Sequence, residues 1–361
     1  MPGNFRSTLF SEVNADDEFF DSLKADYAPG FAEWFAAKSA TGESALIYQD
    51  DEGIGAFVYL KNENESIELA DRILPAAWRL KIGTLKVANR AQGERLGEGA
   101  IGLALWRWRD TGYLQIYVTV FEKHESLVGI LRKFGFRRVG AKENGESVYV
   151  KDKRELDYGN PYLSFPFIDP SFEEANLLVV NDDYHDELFP YSELANEFQD
   201  TFRSAAANGV TKTYIGGADS VAAAPDHPLL IYRKYTGTEG RPGFKSVVTS
   251  YCVVTDVAQI KRGGREIESF EKFRHRVKNK SVFSDDDIAA KYRDSPNLMV
   301  IEMVYLGYFG VGHNVNYMWL WENGYWRKNQ YPLQFSFTPA EFKAILERGD
   351  VEVATLIVNQ P

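Results

Sequence analysis

Between residues 80 and 106 the apolar pattern changes period, and a glycine-rich turn makes the change. Leu80-Lys81-Ile82-Gly83-Thr84-Leu85-Lys86-Val87 alternates apolar and polar residues as a half-buried strand does, whereas Ala100-Ile101-Gly102-Leu103-Ala104-Leu105-Trp106 spaces them as a helix does. Between them lies Arg90-Ala91-Gln92-Gly93-Glu94-Arg95-Leu96-Gly97-Glu98-Gly99. Glycines at a helix start leave backbone N–H groups that have no intrahelical acceptor open to close approach, and the helix dipole there favours negative charge. The stretch reads as a cradle for a diphosphate.

Two other glycine-rich turns fit less well. A P-loop ends in Gly-Lys-Ser/Thr, which this run lacks. A dinucleotide fingerprint is met by Gly97, Gly99 and Gly102 only by counting into the helix. That fingerprint follows a first parallel strand, whereas this run follows several strand-like segments, and the next strand, Tyr113 to Val120, brings no ribose-binding Asp or Glu at the expected place.

In Glu94-Arg95-Leu96-Gly97-Glu98-Gly99, and in Leu131-Arg132-Lys133-Phe134-Gly135-Phe136 beyond the next strand, the first 150 residues or so resemble the GNAT superfamily of N-acetyltransferases. The first run matches Gln/Arg-x-x-Gly-x-Gly/Ala except at its first position. The second matches Tyr-x-Lys-x-Gly-Phe with Leu131 in place of the tyrosine. The resemblance implies acetyl-CoA as acetyl donor, held by Val87, Arg95, Leu96, Gly97, Glu98, Gly99, Ala100 and Lys133, with its pantetheine arm between two splayed strands. Acetyl transfer needs a neutral amine, a polarised thioester carbonyl and a proton for the leaving thiolate. No carboxylate stands between Lys81 and Ala88, which leaves Tyr117, Thr119 and His124 as the catalytic candidates near the cleft. His124 is the best ionisable candidate, since the imidazole is the side chain suited to proton transfer near neutral pH. Ser126 reads as a helix cap.

A chain of 361 residues is long enough for two domains, each with its own core. The expected division is a GNAT-like domain over 1–155, a linker over 156–175 and a second domain over 176–361. The overall expectation is an α+β chain, with a mixed, mostly antiparallel sheet flanked by helices in the first domain. A single cysteine, Cys252, forms no intrachain disulfide, and the start carries no basic segment followed by a long apolar core, so a cytoplasmic setting is expected. No apolar run approaches the length of a membrane span, and no membrane association is expected. A net charge of −11 argues against indiscriminate nucleic-acid binding.

In chain order, Asp16 to Leu23 reads as an acid-started helix, and Phe31, Trp34 and Phe35 as the core stripe of a second. Asp50-Asp51-Glu52-Gly53 and Asn144-Gly145 mark hairpins, and Gly135 the end of a helix from Ser126 to Phe134. Asn160 to Pro170 mixes three prolines with aromatics and reads as an extended surface linker. Asp182-Asp183-Tyr184-His185-Asp186-Glu187 has no EF-hand spacing and reads as a solvated turn, with no metal assigned. Tyr191 to Asn208 reads as a helix. Leu229 to Tyr235, Ser246 to Val254, Met299 to Tyr305 and Tyr317 to Trp321 read as strands, with a late helix over Phe342 to Leu346.

This order of strands resembles the PUA-like barrels of the ASCH and EVE type, which implies a C-terminal β-barrel with helices that binds RNA. The cations Lys261, Arg262, Arg265, Lys272, Arg274, Arg276, Lys278 and Lys280 would contact phosphates, with Phe273, or one of Tyr305, Tyr308, Trp319 and Trp326, stacking on a base. The competing reading is a solvated helix balanced by neighbouring acids. The chain as a whole resembles bacterial proteins encoded beside PIN-type nucleases. Two functions follow: an acetyl-CoA-dependent N-acetyltransferase with an RNA-binding module, or a non-catalytic GNAT-like regulator, possible antitoxin partner of a PIN-type toxin.

Overall fold

The computed structural model describes residues 5–190, 205–218, 220–238, 242–310 and 312–358. It divides into two compact units, Met1–Arg132 with Phe136–Lys153, and Lys133–Gly135 with Arg154–Pro361.

The first unit contains β1 (Phe5–Leu9), α1 (Asp21–Asp26), α2 (Phe31–Ala40), β2 (Ser44–Asp50), β3 (Gly53–Glu68), β4 (Ile73–Val87), α3 (Leu96–Arg109), β5 (Gln115–Val120), α4 (Glu125–Lys133), β6 (Arg137–Ala141) and β7 (Ser147–Asp152), α4 ending on a residue of the second unit. The sheet order is β1-β2-β3-β4-β5-β7-β6. All neighbours are antiparallel except β4 and β5. The result is a mixed, mostly antiparallel sheet with helices. Gly53 and Gly145 turn their hairpins at φ of +108° and +87°, a region where a side chain is strained. Gly135 ends α4 at φ +78°.

Phe31 and Phe35 of α2 are buried against Phe10, Phe20 and Phe57, with Trp34 packed at the margin. That stripe is core. The acid-started segment begins with a 3-10 turn, Glu18–Phe20, because the Asp17 carboxylate accepts the Phe19 N–H at 2.8 Å, and α1 follows. β3 and β4 are much longer than their sequence pattern suggests, and their hairpin folds back on the sheet. The Ala70 N–H donates to the Ala141 carbonyl at 2.8 Å, and Ile67 and Leu69 pack on Tyr117, Val148 and Val150. One face of β5 and β7 is thereby covered.

The second unit contains β8 (Ala175–Asn181), β9 (Thr211–Gly216), β10 (Pro228–Lys234), β11 (Val247–Arg262), β12 (Arg265–Glu266), β13 (Leu298–Tyr308), β14 (Val315–Asn316) and β15 (Ser336–Phe337). Six strands run in the order β15-β8-β10-β11-β13-β9, while β12 and β14 pair with β11. Among the described residues this order is an open path, and the expected barrel closure is not seen in it.

Two local readings change, and a third is described only at its end. Tyr317 to Trp321 is part of a helix, Tyr317–Glu322, because the Asn316 side chain caps it by accepting the Trp319 N–H at 2.9 Å. The Pro-rich stretch contains a short helix, Pro161–Ser164, and buries Phe165, Phe167 and Ile168, so it is packed chain rather than an extended surface linker. Of the helix read over Tyr191 to Asn208, residues 191–204 lie outside the described residues, and Ala205–Asn208 is helical.

Candidate functional site

β4 and β5 are hydrogen-bonded in register from Arg79 opposite Gln115 to Ile82 opposite Val118. Beyond that level β4 continues through Gly83 to Val87 paired only with β3, while β5 turns to β7. The two parallel strands therefore part, leaving one edge of β4 open toward the glycine turn. After Val87 the chain makes a 3-10 turn, Asn89–Ala91, and passes Gly93 at φ +92° and Arg95 at φ +57° before α3 begins. The left-handed Arg95 is a costly conformation for a residue with a Cβ, and it aims the first turn of α3 back at the end of β4.

The turn is anchored by its own charges. Arg90 donates to both oxygens of Asp50, at 2.9 and 2.8 Å, and to the Gly53 carbonyl at 2.9 Å. Arg95 and Glu98 form an ion pair at 2.7 Å. A Cβ on Gly97 would lie 3.1 Å from Ile130 Cδ1 and 3.9 Å from Val87 Cγ2, so this glycine allows α4, β4 and α3 to meet. Leu96, Gly99 and Ala100 are buried. The Leu96 and Ala100 side chains serve packing, the Gly99 N–H donates to the Arg95 carbonyl at 3.1 Å, and what the turn can offer an anion is the backbone ahead of Gly99. Lys133, expected beside the same site, belongs to the second unit, where its ammonium lies 4.2 Å from the Tyr162 ring centre and 3.4 Å from Thr211 Oγ1.

The catalytic candidates separate into three environments. Tyr117 is 3 % exposed, and its hydroxyl donates to the Glu63 carboxylate. Burial and that bond push the phenol well above its ordinary value, so it holds its proton. Burial alone would raise the Glu63 carboxyl, but the Tyr117 bond and the charges of Lys81 and Lys61 outweigh it and hold it below its ordinary value. Thr119 donates at 3.2 Å to Glu146, a carboxylate only 4 % exposed that also accepts from the Tyr27 hydroxyl at 2.8 Å and Asn144 Nδ2 at 2.9 Å. His124 is exposed and pairs with Asp26 at 3.3 Å. Its carbonyl accepts the Val128 N–H, so His124 stands at the cap position of α4 and Ser126 lies inside the first turn.

Glu63 and Glu146 were not singled out in the sequence. Glu63 sits in the run Lys61-Asn62-Glu63-Asn64-Glu65, which reads as a solvated strand. Glu146 follows a turn signal that accounts for its polarity. In both cases burial comes from partners remote in sequence.

The basic segment of the second unit is largely neutralised. Lys261 is buried, donating to the Tyr292 carbonyl at 2.8 Å, and Phe273 is fully buried in the core with Val277 and Ile288. Neither can meet a nucleic acid. Arg274 pairs with Asp285 at 2.6 Å and Lys272 with Glu268 at 3.2 Å. Arg276 engages Asp256, Glu302 and Glu268, and Lys280 takes the other oxygen of Glu302 at 2.6 Å. Arg262, Arg265 and Lys278 are exposed. Of the four acids that balance this helix, Glu268 and Asp285 are its neighbours in sequence, as the competing reading has it, while Asp256 and Glu302 come from β11 and β13.

The acidic cluster near residue 185 forms the helix Asp182–Leu188. Asp186 takes a bidentate bond from Arg233, at 2.7 and 2.6 Å, and Asp182 accepts from the Thr236 hydroxyl at 2.6 Å. The fully buried His185 bridges Asp186 and Thr249 Oγ1, at 2.8 Å each.

No family model matches the sequence, and no match was found among curated proteins. Solved structures with similar chain traces do exist. An N-acetyltransferase from Staphylococcus aureus Mu50 is 14% identical over 41% of this chain and 96% of its own, with a TM-score of 0.30. A second acetyltransferase from the same organism is 17% identical over 42% of this chain and 99% of its own, with a TM-score of 0.31. A mutant AtaT toxin, bound to the C-terminus of the antitoxin AtaR and acetyl-CoA, is 14% identical over 42% of this chain and 93% of its own, with a TM-score of 0.30.

Proposed function

We propose that the first unit is an N-acetyltransferase that moves an acetyl group from acetyl-CoA to an amine. The observation that carries this reading is the parting of β4 from β5 after Ile82 and Val118, with β4 running on into a glycine turn at the start of a long helix. An extended pantetheine arm has amides that can pair with the open edge of β4 between Gly83 and Val87. The diphosphate would then lie at the first turn of α3, where N–H groups and the helix dipole favour it. The motifs around Gly97 and Lys133-Phe134-Gly135-Phe136 support the same reading from the sequence.

In the reaction the amine nitrogen attacks the thioester carbonyl, the carbon–sulfur bond breaks, and one proton must leave the nitrogen while the thiolate gains one. Glu146 is the group suited to take the amine proton. It is a buried carboxylate held by Thr119, just past the level at which the strands part, and by Tyr27. Tyr117 is unsuited to donate a proton, because Glu63 and burial hold its proton in place. The test is calorimetric titration of acetyl-CoA into the full chain, followed by thiol release with a panel of amines. Absence of acetyl-CoA binding would end the reading.

A further inference from the structure

A cavity of about 140 Å³ lies in the second unit between Val179, Val180 and Asn181 of β8 and Thr213, Tyr214 and Ile215 of β9. In the strand order these segments stand near opposite ends of the sheet. The cavity occupies the seam that a barrel would have closed. Part of the β9 edge is already taken, since the Thr213 N–H donates to the Lys280 carbonyl at 2.9 Å, and the chain that follows brings Val282 and Phe283 into the lining. Phe283 and Tyr184 form an aromatic wall, with ring centres 5.0 Å apart.

Two polar groups of this cavity have no hydrogen-bond or ion-pair partner among the described residues. Thr213 is 2 % exposed, yet its hydroxyl has no hydrogen-bond partner. A buried hydroxyl left unpaired is destabilising, and a ligand acceptor would relieve it. Lys291 lines the same cavity with its ammonium 4.0 Å from the centre of the Phe283 ring. Among the described residues no carboxylate forms an ion pair with it. Asp287, one turn earlier on the same helix, spends its Oδ2 on the Ser284 N–H and hydroxyl and acts on Lys291 only at a distance.

We propose that this cavity binds a small aromatic carboxylate, its ring against Phe283 and Tyr184 and its carboxylate on Lys291 and Thr213. Size favours one ring, since an apolar cavity of about 150 Å³ accepts a benzene. Charge favours an anion, because a neutral ring would leave the ammonium and the hydroxyl without an acceptor. Inorganic phosphate would satisfy both but leave Val179, Ile215 and Val282 against water. The reading is independent of acetyl transfer in the first unit.

The test uses the full chain with benzoate as probe and benzyl alcohol as its neutral counterpart, followed by ligand-observed magnetic resonance. Benzoate is expected to bind the unmodified protein about tenfold more tightly than benzyl alcohol, equivalent to about 1.4 kcal/mol. Lys291→Met should abolish that preference, and Thr213→Val, a change of similar shape, should weaken benzoate several-fold without loss of folding by circular dichroism. Failure of benzoate to bind, equal binding of the alcohol, or unchanged benzoate affinity in both variants would each overturn the proposal. If Lys291→Met does not fold, the comparison of the two probes on the unmodified protein decides.

Discussion

The hydroxyl of Tyr117 on β5 donates to the carboxylate of Glu63 on β3, across the intervening β4. Lys61, at 3.2 Å, and Lys81, at 3.8 Å, complete the charge balance around that carboxylate. The β3–β4 hairpin folds back over the neighbouring apolar surface, and Tyr117 belongs to the buried cluster beneath it. The cluster is structural. Tyr117→Phe leaves a buried carboxylate short of one donor, which should cost about 1–3 kcal/mol of stability in a urea titration. Acetyl-CoA affinity should stay unchanged. A stability equal to that of the parent would show that the lysines alone satisfy Glu63.

At the glycine turn, shape and charge can be separated by two substitutions at one position. Gly97→Ala brings only the Cβ, which meets Ile130 Cδ1 at 3.1 Å, so it reports how far α4 yields. Gly97→Asp adds a negative charge at the first turn of α3, where a diphosphate would sit. Relative to Ala, Asp should weaken acetyl-CoA binding by at least tenfold, about 1.4 kcal/mol, in calorimetry. Equal affinities in the two variants would place the phosphates elsewhere.

The proton acceptor is tested by comparing Glu146→Gln with His124→Ala. A group that transfers a proton in the transition state contributes about 10²–10⁴-fold to turnover, and Glu146→Gln should show a loss of that order with acetyl-CoA affinity retained. His124 is exposed, and its pairing with Asp26 should be worth less than about 1 kcal/mol of stability. Its removal should change turnover little. The reverse ranking would return the role to His124.

What the sequence disclosed and what it hid divide along a physical line. The glycine turn was legible because period and backbone freedom are local properties, and so were the hairpins at Gly53 and Gly145. β9 was not, because Thr211-Lys212-Thr213 looks solvated although Lys212 is fully buried, its ammonium donating to the Ala206 and Ala207 carbonyls. The helix at Tyr317 hid behind an aromatic run until Asn316 was seen to cap it. Charge was the least legible property. Arg276 reads in the sequence either as a phosphate contact or as balanced by neighbouring acids, and while Glu268 is such a neighbour, Asp256 and Glu302 stand on strands remote from it.

The buried His185 makes the second unit sensitive to acid. Burial disfavours its imidazolium, and although the Asp186 bond opposes this, the net shift is below the ordinary value of 6.5. Burial would raise Asp186, but the bonds from Arg233 and His185 outweigh it and bring it down to about 2. Unfolding frees both groups to take up protons at higher pH than they do when folded. Stability from His185 is therefore present above pH 6.5 and lost as pH falls below it, while that from Asp186 is lost only between its ordinary value of 3.8 and about 2. Thermal unfolding followed from about pH 7 to about pH 5 should thus show a falling midpoint, with a further fall in stronger acid. His185→Asn lowers stability throughout, since it removes a packed ring, but it should flatten the upper part of the profile. If the variant keeps the full slope of the parent over that range, protonation of His185 is not the step that weakens the fold.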